Sequence, residues 1–197
     1  MGNFTHFAVY GMTGQGKSTI MKRVAESVLA KGKQVVVFNP TGEEWPVGVV
    51  RVASVDQLEA VLGEIRRRRR WAMVLLDEAR FLRLQVRPHH EAVTNLGPMG
   101  RHYPVTFMVA SQFPTGVDPA LRWNCGECYC FRLANVEAAQ EVWKIYNQQS
   151  INGRPVWEII LSLPKLTCVH LTAEKAEILT VKPPGRGVVQ RVKRRVV

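Results

Sequence analysis

The most informative segment of this chain is Gly11-Met12-Thr13-Gly14-Gln15-Gly16-Lys17-Ser18, followed by Thr19. It fits the pattern G-x-x-x-x-G-K-[ST] without a mismatch. An apolar segment at residues 4–10 precedes it and predicts a buried strand, and helical spacing of apolar residues follows it through residues 17–31. A strand, a glycine-rich turn and a helix are the context in which backbone N–H groups and a helix N-terminus surround a phosphate group.

The residue types within this stretch predict the chemistry of nucleotide binding. Lys17 is expected to reach the β- and γ-phosphates of a nucleoside triphosphate, and the Ser18 hydroxyl is expected to ligate Mg²⁺. The sequence therefore predicts ATP and Mg²⁺ as cofactors. The nucleotide-binding residues predicted are Gly11, Met12, Thr13, Gly14, Gln15, Gly16, Lys17, Ser18 and Thr19.

Outward from the loop, short apolar segments alternate with helical patterns. Strands are predicted near residues 34–38, 49–53, 71–76, 105–110 and 126–133, and helices are predicted after residues 16, 54 and 135. This alternation is typical of an α/β fold with a mostly parallel sheet covered by helices on both faces. A C-terminal hairpin is predicted from residues 168–172 and 178–181. We therefore expect one ATPase domain at residues 1–181 and a basic tail at 182–197.

Two acids end one of the predicted strands. Asp77 and Glu78 follow the apolar residues 73–76, and a buried parallel strand would bring both to the edge of the sheet that carries the glycine-rich loop. Asp77 is then predicted to hold the Mg²⁺ with Ser18. Glu78 is predicted to be the base that polarises the attacking water, a group that a hydrolase needs and a kinase does not.

A further polar group is predicted at the end of the strand at 105–110. Gln112 is positioned to hydrogen-bond the attacking water or the γ-phosphate. Two nearby arginines, Arg101 and Arg122, are candidates for neutralising charge on the γ-phosphate, within one chain or from a neighbouring subunit. The alternatives are a polar strand end for Gln112 and surface cations for the two arginines.

The composition narrows the class of partner. The chain has 197 residues with 27 basic and 16 acidic side chains, for a net charge of +11. Such an excess favours polyanionic partners. No apolar run reaches the ~20 residues that span a bilayer, and the first residues show no secretory signal. We therefore expect a protein that works inside a cell or inside a particle assembled there.

The four cysteines raise the question of a zinc site. Cys125, Cys128 and Cys130 have C-x-x-C spacing, but no second pair follows at the distance of a zinc ribbon. The sequence favours small apolar side chains in a buried strand over a metal site.

Taken together, these segments resemble the FtsK–HerA superfamily of ring-forming DNA-translocating ATPases. The closest likeness is to the small genome-packaging ATPases of tailless, often membrane-containing, double-stranded DNA viruses. Three segments carry the resemblance: GMTGQGKST at 11–19, LLDEAR at 75–80 and GRHYPVTFMVASQFPTGVDPALRWN at 100–124. It implies an ATP hydrolase in a homo-oligomeric ring, a hexamer in that family, which moves double-stranded DNA into a capsid through a packaging vertex. It also implies that Arg101 acts between subunits and that Gln112 senses the γ-phosphate.

Two other functions stay open from the sequence. One is a nucleoside kinase resembling thymidine kinase, and the other is an ATP-gated DNA-binding or assembly protein with little turnover. The run Arg66–Arg70 is either a solvated helix end or a segment that lines a pore or contacts the DNA phosphate backbone. The tail is either a nonspecific contact to DNA or capsid or a solubilising terminus. The sequence shows no base-reading motif, which fits binding without sequence preference.

Overall fold

The computed structural model describes residues 5–85, 90–97 and 104–183, without the side chains of residues 83–85. The first strand, β1 (His6–Tyr10), runs into the glycine-rich loop and the helix α1 (Lys17–Leu29). The elements that follow are β2 (Gln34–Phe38), β3 (Val50–Val52), α2 (Val55–Arg68), β4 (Ala72–Leu76), α3 (Ala79–Gln85), α4 (Glu91–Thr94), β5 (Val105–Ser111), a 3₁₀ turn (Pro114–Gly116), α5 (Pro119–Arg122), β6 (Cys125–Phe131), α6 (Val136–Ile145), β7 (Ser150–Ile151), β8 (Arg154–Pro155), α7 (Val156–Leu161), β9 (Thr167–Leu171) and β10 (Ala176–Thr180).

An eight-stranded sheet in the order β10-β9-β6-β1-β5-β4-β2-β3 organises these elements. The six strands from β6 to β3 are parallel to one another, whereas β9 is antiparallel to β6 and to β10. Because β1, β5 and β4 are adjacent and parallel, the residues that follow them meet at one edge of the sheet. These are the glycine-rich loop, Gln112 and the pair Asp77 and Glu78.

Helices cover the sheet on both faces, and this explains the apolar strands. All five residues of β4 and all seven of β5 are buried, as strands covered on both faces require. On one face the core includes Leu58 and Leu62 of α2. On the other face it includes Ile20 and Met21 of α1. The predicted α/β fold with its mostly parallel sheet is confirmed, and so is the hairpin formed by β9 and β10.

Some elements were not predicted. Between the predicted strands at 105–110 and 126–133 lies the helix α5, which Asp118 caps by accepting a hydrogen bond from the backbone N–H of Ala120 at 2.8 Å. The short pair β7–β8 and the helix α7 were also missed, because segments of two to six residues carry too little periodicity to be recognised. The predicted basic tail beyond residue 183 lies outside the described residues.

Candidate nucleotide-binding site

The glycine-rich loop is held at both of its neighbouring strands. The Gly11 N–H donates to the carbonyl of Ser111 at the end of β5, and the Met12 N–H donates to the carbonyl of Arg132, just after β6. Gly14 and Gly16 have φ angles of 76° and 124°, which other residues rarely adopt. A Cβ atom on Gly11 would lie 2.6 Å from the Cβ atom of Phe131, so the loop packs directly on the sheet.

Lys17, at the start of α1, points back into this loop. Its ammonium group donates to the carbonyl oxygens of Gly11 at 2.8 Å and Met12 at 3.2 Å. The side chain is buried, and burial lowers the pKa of Lys17, although the carboxylates of Glu78 and Asp77 act in the opposite direction. The loop therefore holds a desolvated cation next to two acids, which is the arrangement predicted from the sequence.

Asp77 and Glu78 lie at the carboxyl end of β4, where the sequence placed them. The Asp77 N–H donates to the carbonyl of Phe38 at 3.2 Å, which fixes this end of β4 to the end of β2. Burial raises the pKa of Asp77 to about 6, and the nearby carboxylates of Glu43 and Glu78 add to this rise. Glu78 has a φ angle of 56°, and its carboxylate lies 3.3 Å from the guanidinium of Arg80.

These residues line one cleft of about 360 Å³. Within it lie Lys17, Ser18, Asp77 and Glu78, together with Thr13, Gly14, Gly16 and Thr19 of the predicted nucleotide-binding set. One hydroxyl and one carboxylate fit Mg²⁺, which is normally bound through one or two carboxylates, substrate phosphates and water. The cleft thus offers donors for the phosphates, ligands for the metal and a carboxylate for a general base.

Three further residues line the cleft that the sequence analysis did not single out: Lys22, Thr41 and Glu43. Lys22 lies four residues after Ser18 on α1, so helical spacing alone predicts that it shares a helix face with the phosphate-binding residues. Thr41 and Glu43 follow β2, and no spacing rule relates this loop to the glycine-rich loop. Only the order of strands in the sheet brings them together.

Gln112 lies directly after β5 but does not line this cleft. It lines an adjoining cavity of about 300 Å³ together with Met12, Thr13 and Phe113. The amide is therefore next to the glycine-rich loop on the side of Thr13. Its predicted contact with the γ-phosphate stays a prediction.

Of the two candidate arginines, the described residues include only Arg122. Arg101 lies outside the described residues. Arg122, on α5, does not line the cleft, and its guanidinium forms an ion pair with Glu141 of α6 at 2.5 Å. To act on a nucleotide, Arg122 would have to break its ion pair with Glu141. Its catalytic role stays a prediction.

The cysteines lie in the core. Cys125, Cys128 and Cys130 are buried on β6, and Cys168 is buried on β9. Burial raises the pKa of the Cys125 and Cys168 thiols well above its ordinary value. Across residues 5–85, 90–97 and 104–183, no group of three or more His, Cys, Asp or Glu side chains is placed to hold a metal ion. Over the same ranges, no helix is long and apolar enough to cross a membrane.

Comparison of the sequence with protein families gives one informative match. The model of the family described as "Helicase HerA, central domain" matches residues 4–45, which include β1, the glycine-rich loop, α1 and β2. A comparison with curated proteins found no match.

Solved structures share the fold over nearly the whole chain. The genome packaging NTPase B204 of Sulfolobus turreted icosahedral virus 2, in complex with AMPPCP, has a TM-score of 0.71 at 14% identity, covering 93% of this chain and 99% of its own. The pCW3 conjugation coupling protein TcpA, with ATPγS, has a TM-score of 0.70 at 16% identity, covering 89% and 59%. EssC of Geobacillus thermodenitrificans (ATPases 2 and 3) has a TM-score of 0.65 at 12% identity, covering 95% and 41%.

These likenesses agree with the site geometry. The family match lies on the segment that carries the glycine-rich loop, and the fold shared with B204 covers 93% of the chain. They confirm the predicted P-loop fold and the resemblance to FtsK–HerA ATPases. Together with the assembled cleft, they support ATP binding and hydrolysis as the activity of this chain.

Proposed function

We propose that this chain is an ATP-hydrolysing motor that translocates double-stranded DNA and packages a viral genome into a preformed capsid. The observation that carries the proposal is the convergence of Lys17, Ser18, Asp77 and Glu78 on one cleft, in a strongly basic chain. The fold shared with B204, over 99% of that packaging NTPase, supports the same reading.

The cleft residues divide the work of hydrolysis. Lys17 exchanges its carbonyl partners for β- and γ-phosphate oxygens, and the backbone N–H groups of residues 14–18 surround the phosphates. Mg²⁺, held by Ser18 and Asp77, would neutralise phosphate charge. Glu78 orients a water molecule towards the γ-phosphorus and accepts its proton.

The DNA contact is expected away from the cleft. The run Arg66–Arg70 lies at the end of α2 and precedes the amino end of β4, about 16 Å from Asp77 along the strand. Arg66 lies 3.7 Å from Glu91, and Arg67 and Arg68 both form ion pairs with Glu64. We propose that the run contacts phosphates of double-stranded DNA without reading its sequence.

Assembly and location follow from the same proposal. A motor that holds DNA through many cycles is proposed to work as a homo-oligomeric ring, a hexamer by resemblance, at the packaging vertex of a capsid. It would then act in the host cytoplasm, in the virion or in both. Arg101 is the proposed residue that acts between subunits.

The test is an ATPase assay with and without double-stranded DNA, alongside size measurement of the protein with nucleotide. DNA is expected to raise the hydrolysis rate, and nucleotide is expected to favour a ring. Phosphorylation of thymidine with no response to DNA would overturn the motor and favour a nucleoside kinase. DNA binding that requires ATP but proceeds without turnover would favour the ATP-gated binding protein.

A variant separates the DNA contact from the chemistry. Arg69 ends α2 in a left-handed conformation with a φ angle of 49°, which asparagine tolerates. In Arg69→Asn/Arg70→Gln we expect unchanged ATP hydrolysis without DNA, weaker stimulation by DNA, and a slope of log affinity against log salt that is smaller by about 1–2. If stimulation of ATP hydrolysis by DNA and the salt dependence of DNA affinity were both unchanged, the run Arg66–Arg70 would not be part of the DNA contact.

A further inference from the structure

A second lysine faces the phosphate-binding cleft. Lys22 lies on α1 four residues beyond Ser18, and its side chain lines the same cleft as Lys17. Its ammonium group lies 3.1 Å from a carboxylate oxygen of Glu43 and 5.6 Å from the ring centre of Trp45. The side chain is 22% exposed, so the cation is partly desolvated but open to the cleft.

The position of Lys22 is fixed by the loop that follows β2. Asn39 donates from its side-chain amide to the carbonyl of Glu43 at 2.6 Å, and its side-chain oxygen accepts from the Glu43 N–H at 3.2 Å. The Thr41 hydroxyl donates to the same oxygen at 3.2 Å. Trp45 is 9% exposed, so packing restricts the motion of its ring. The ring makes a cation–π contact with the Lys22 ammonium group.

The charges that line the cleft explain why a second cation matters there. Two ammonium groups, of Lys17 and Lys22, face the three carboxylates of Glu43, Asp77 and Glu78. A triphosphate brings more negative charge than its Mg²⁺ removes, so the field of the acids opposes binding. Lys17 is placed to bind phosphate oxygens next to the glycine-rich loop. Lys22 is the second lysine of the cleft and lies on the side of Ser18 and Asp77.

We propose that Lys22 is a second triphosphate-binding lysine that contacts the β- or γ-phosphate, and that Glu43 and Trp45 are its positioning residues. When nucleotide binds, the Lys22 ammonium group keeps its cation–π contact with Trp45 and exchanges the carboxylate of Glu43 for a phosphate oxygen. This assignment rests only on nucleotide binding, so it stands or falls independently of the proposed action on DNA.

The test compares nucleotide affinities by titration calorimetry with Mg²⁺ present and DNA absent. Lys22→Met keeps an apolar side chain over Trp45 but removes the charge. We expect it to bind AMPPCP about 10-fold more weakly, the size of one charge-assisted hydrogen bond, and to bind AMP with unchanged affinity. Lys22→Arg should stay within about 3-fold of the original AMPPCP affinity. Lys31→Ala, which removes a lysine just beyond α1 and outside the cleft, is the matched control with unchanged affinity.

The double variant Lys22→Met/Glu43→Gln distinguishes a direct contact from a general charge effect. It removes one cation and one anion, so the net charge of the cleft is that of the original protein. A direct contact predicts that AMPPCP binding stays at least about 5-fold weaker. Recovery of the original affinity would overturn the proposal, as would a Lys22→Met variant that binds AMPPCP normally. Since the double variant also removes the ion pair, thermal melting of each variant shows whether the fold is intact. Should Lys22→Met unfold, Lys22→Gln carries the same comparison.

Discussion

The ammonium group of Lys17 donates a hydrogen bond to the carbonyl oxygen of Gly11, six residues earlier in the chain, and the two atoms lie 2.8 Å apart. A second bond reaches the carbonyl of Met12 at 3.2 Å. The lysine thus closes the glycine-rich loop on itself. The pKa of Lys17 is nevertheless lowered by burial, so the charged group is less stable in the folded chain than in water.

We therefore predict that Lys17→Met weakens nucleotide binding without lowering the stability of the fold. Removing the buried charge should leave the melting temperature unchanged or slightly raised, because the lost hydrogen bonds are offset by the lost desolvation cost. The affinity for AMPPCP should fall by at least about 100-fold, since the phosphates lose their main cation. Thermal melting and calorimetry check both parts. A melting temperature lower by more than about 5 °C would contradict the stability argument.

Much of this cleft is predictable from the sequence because it is built from two contiguous motifs. The residues at 11–19 carry their own turn and helix start, and Asp77 and Glu78 follow an apolar strand directly. The two motifs follow the parallel strands β1 and β4, which have β5 between them, so both motifs lie at the same edge of the sheet. Their convergence in the structure is therefore a consequence of sheet order.

The contacts of Glu43 and Arg122 could not be predicted from the spacing of residues in the sequence. Glu43 reaches the cleft through a turn that Asn39 organises, and nothing in the residue spacing fixes the direction of that turn. Arg122 is a candidate for the γ-phosphate from its position after β5, and its ion-pair partner in the structure, Glu141, lies 19 residues later on α6. Long-range pairs of this kind depend on how helices pack over the sheet, which periodicity does not encode.

Asp77→Asn should stabilise the folded chain at neutral and alkaline pH. The pKa of Asp77 is raised from 3.8 to about 6, mainly by burial, so its ionised form lowers stability once the pH rises through about 6. The shift corresponds to up to about 3 kcal/mol, and we expect a gain of about 1–3 kcal/mol at pH 8 that vanishes below pH 4.

Urea unfolding of both proteins from pH 4 to pH 8 measures this difference. His6, whose pKa is lowered to about 4 by burial, makes the chain less stable as the pH falls from 6.5 towards 4. Because His6 is present in both proteins, its contribution cancels in the comparison. A gain that is constant across the pH range would show that the charge of Asp77 is not its cause.

Gly11→Ala should cost far more stability than Gly14→Ala. A Cβ atom at Gly11 would lie 2.6 Å from the Cβ atom of Phe131, which is fixed to the backbone of β6. At Gly14, no atom lies within 4 Å of the added Cβ atom, and only the φ angle of 76° opposes alanine. We expect losses of about 2–3 kcal/mol and about 1 kcal/mol in urea unfolding. Equal losses would mean that backbone strain alone makes the two glycines necessary.

The buried cysteines predict a protein that carries no zinc and resists thiol reagents. Burial raises the pKa of the Cys125 and Cys168 thiols, so neither supplies the reactive thiolate at pH 8. The four thiols should react with a disulfide reagent only when the chain unfolds. Elemental analysis should find zinc far below one atom per chain. Stoichiometric zinc that is lost on thiol modification would instead support the metal site that C-x-x-C spacing left open.

Glu78→Gln should bind ATP and fail to hydrolyse it. The carboxylate lines the cleft beside Asp77, and the φ angle of 56° at Glu78 turns the chain between β4 and α3. Glutamine keeps the shape of the side chain but accepts no proton, so turnover should fall at least about 100-fold while ATP affinity stays within about 3-fold. Glu174→Gln, in the exposed turn between β9 and β10, is the matched control and should hydrolyse ATP normally. Near-normal turnover by Glu78→Gln would transfer the role of base to another group, and Glu43 is then the next carboxylate of the cleft to replace.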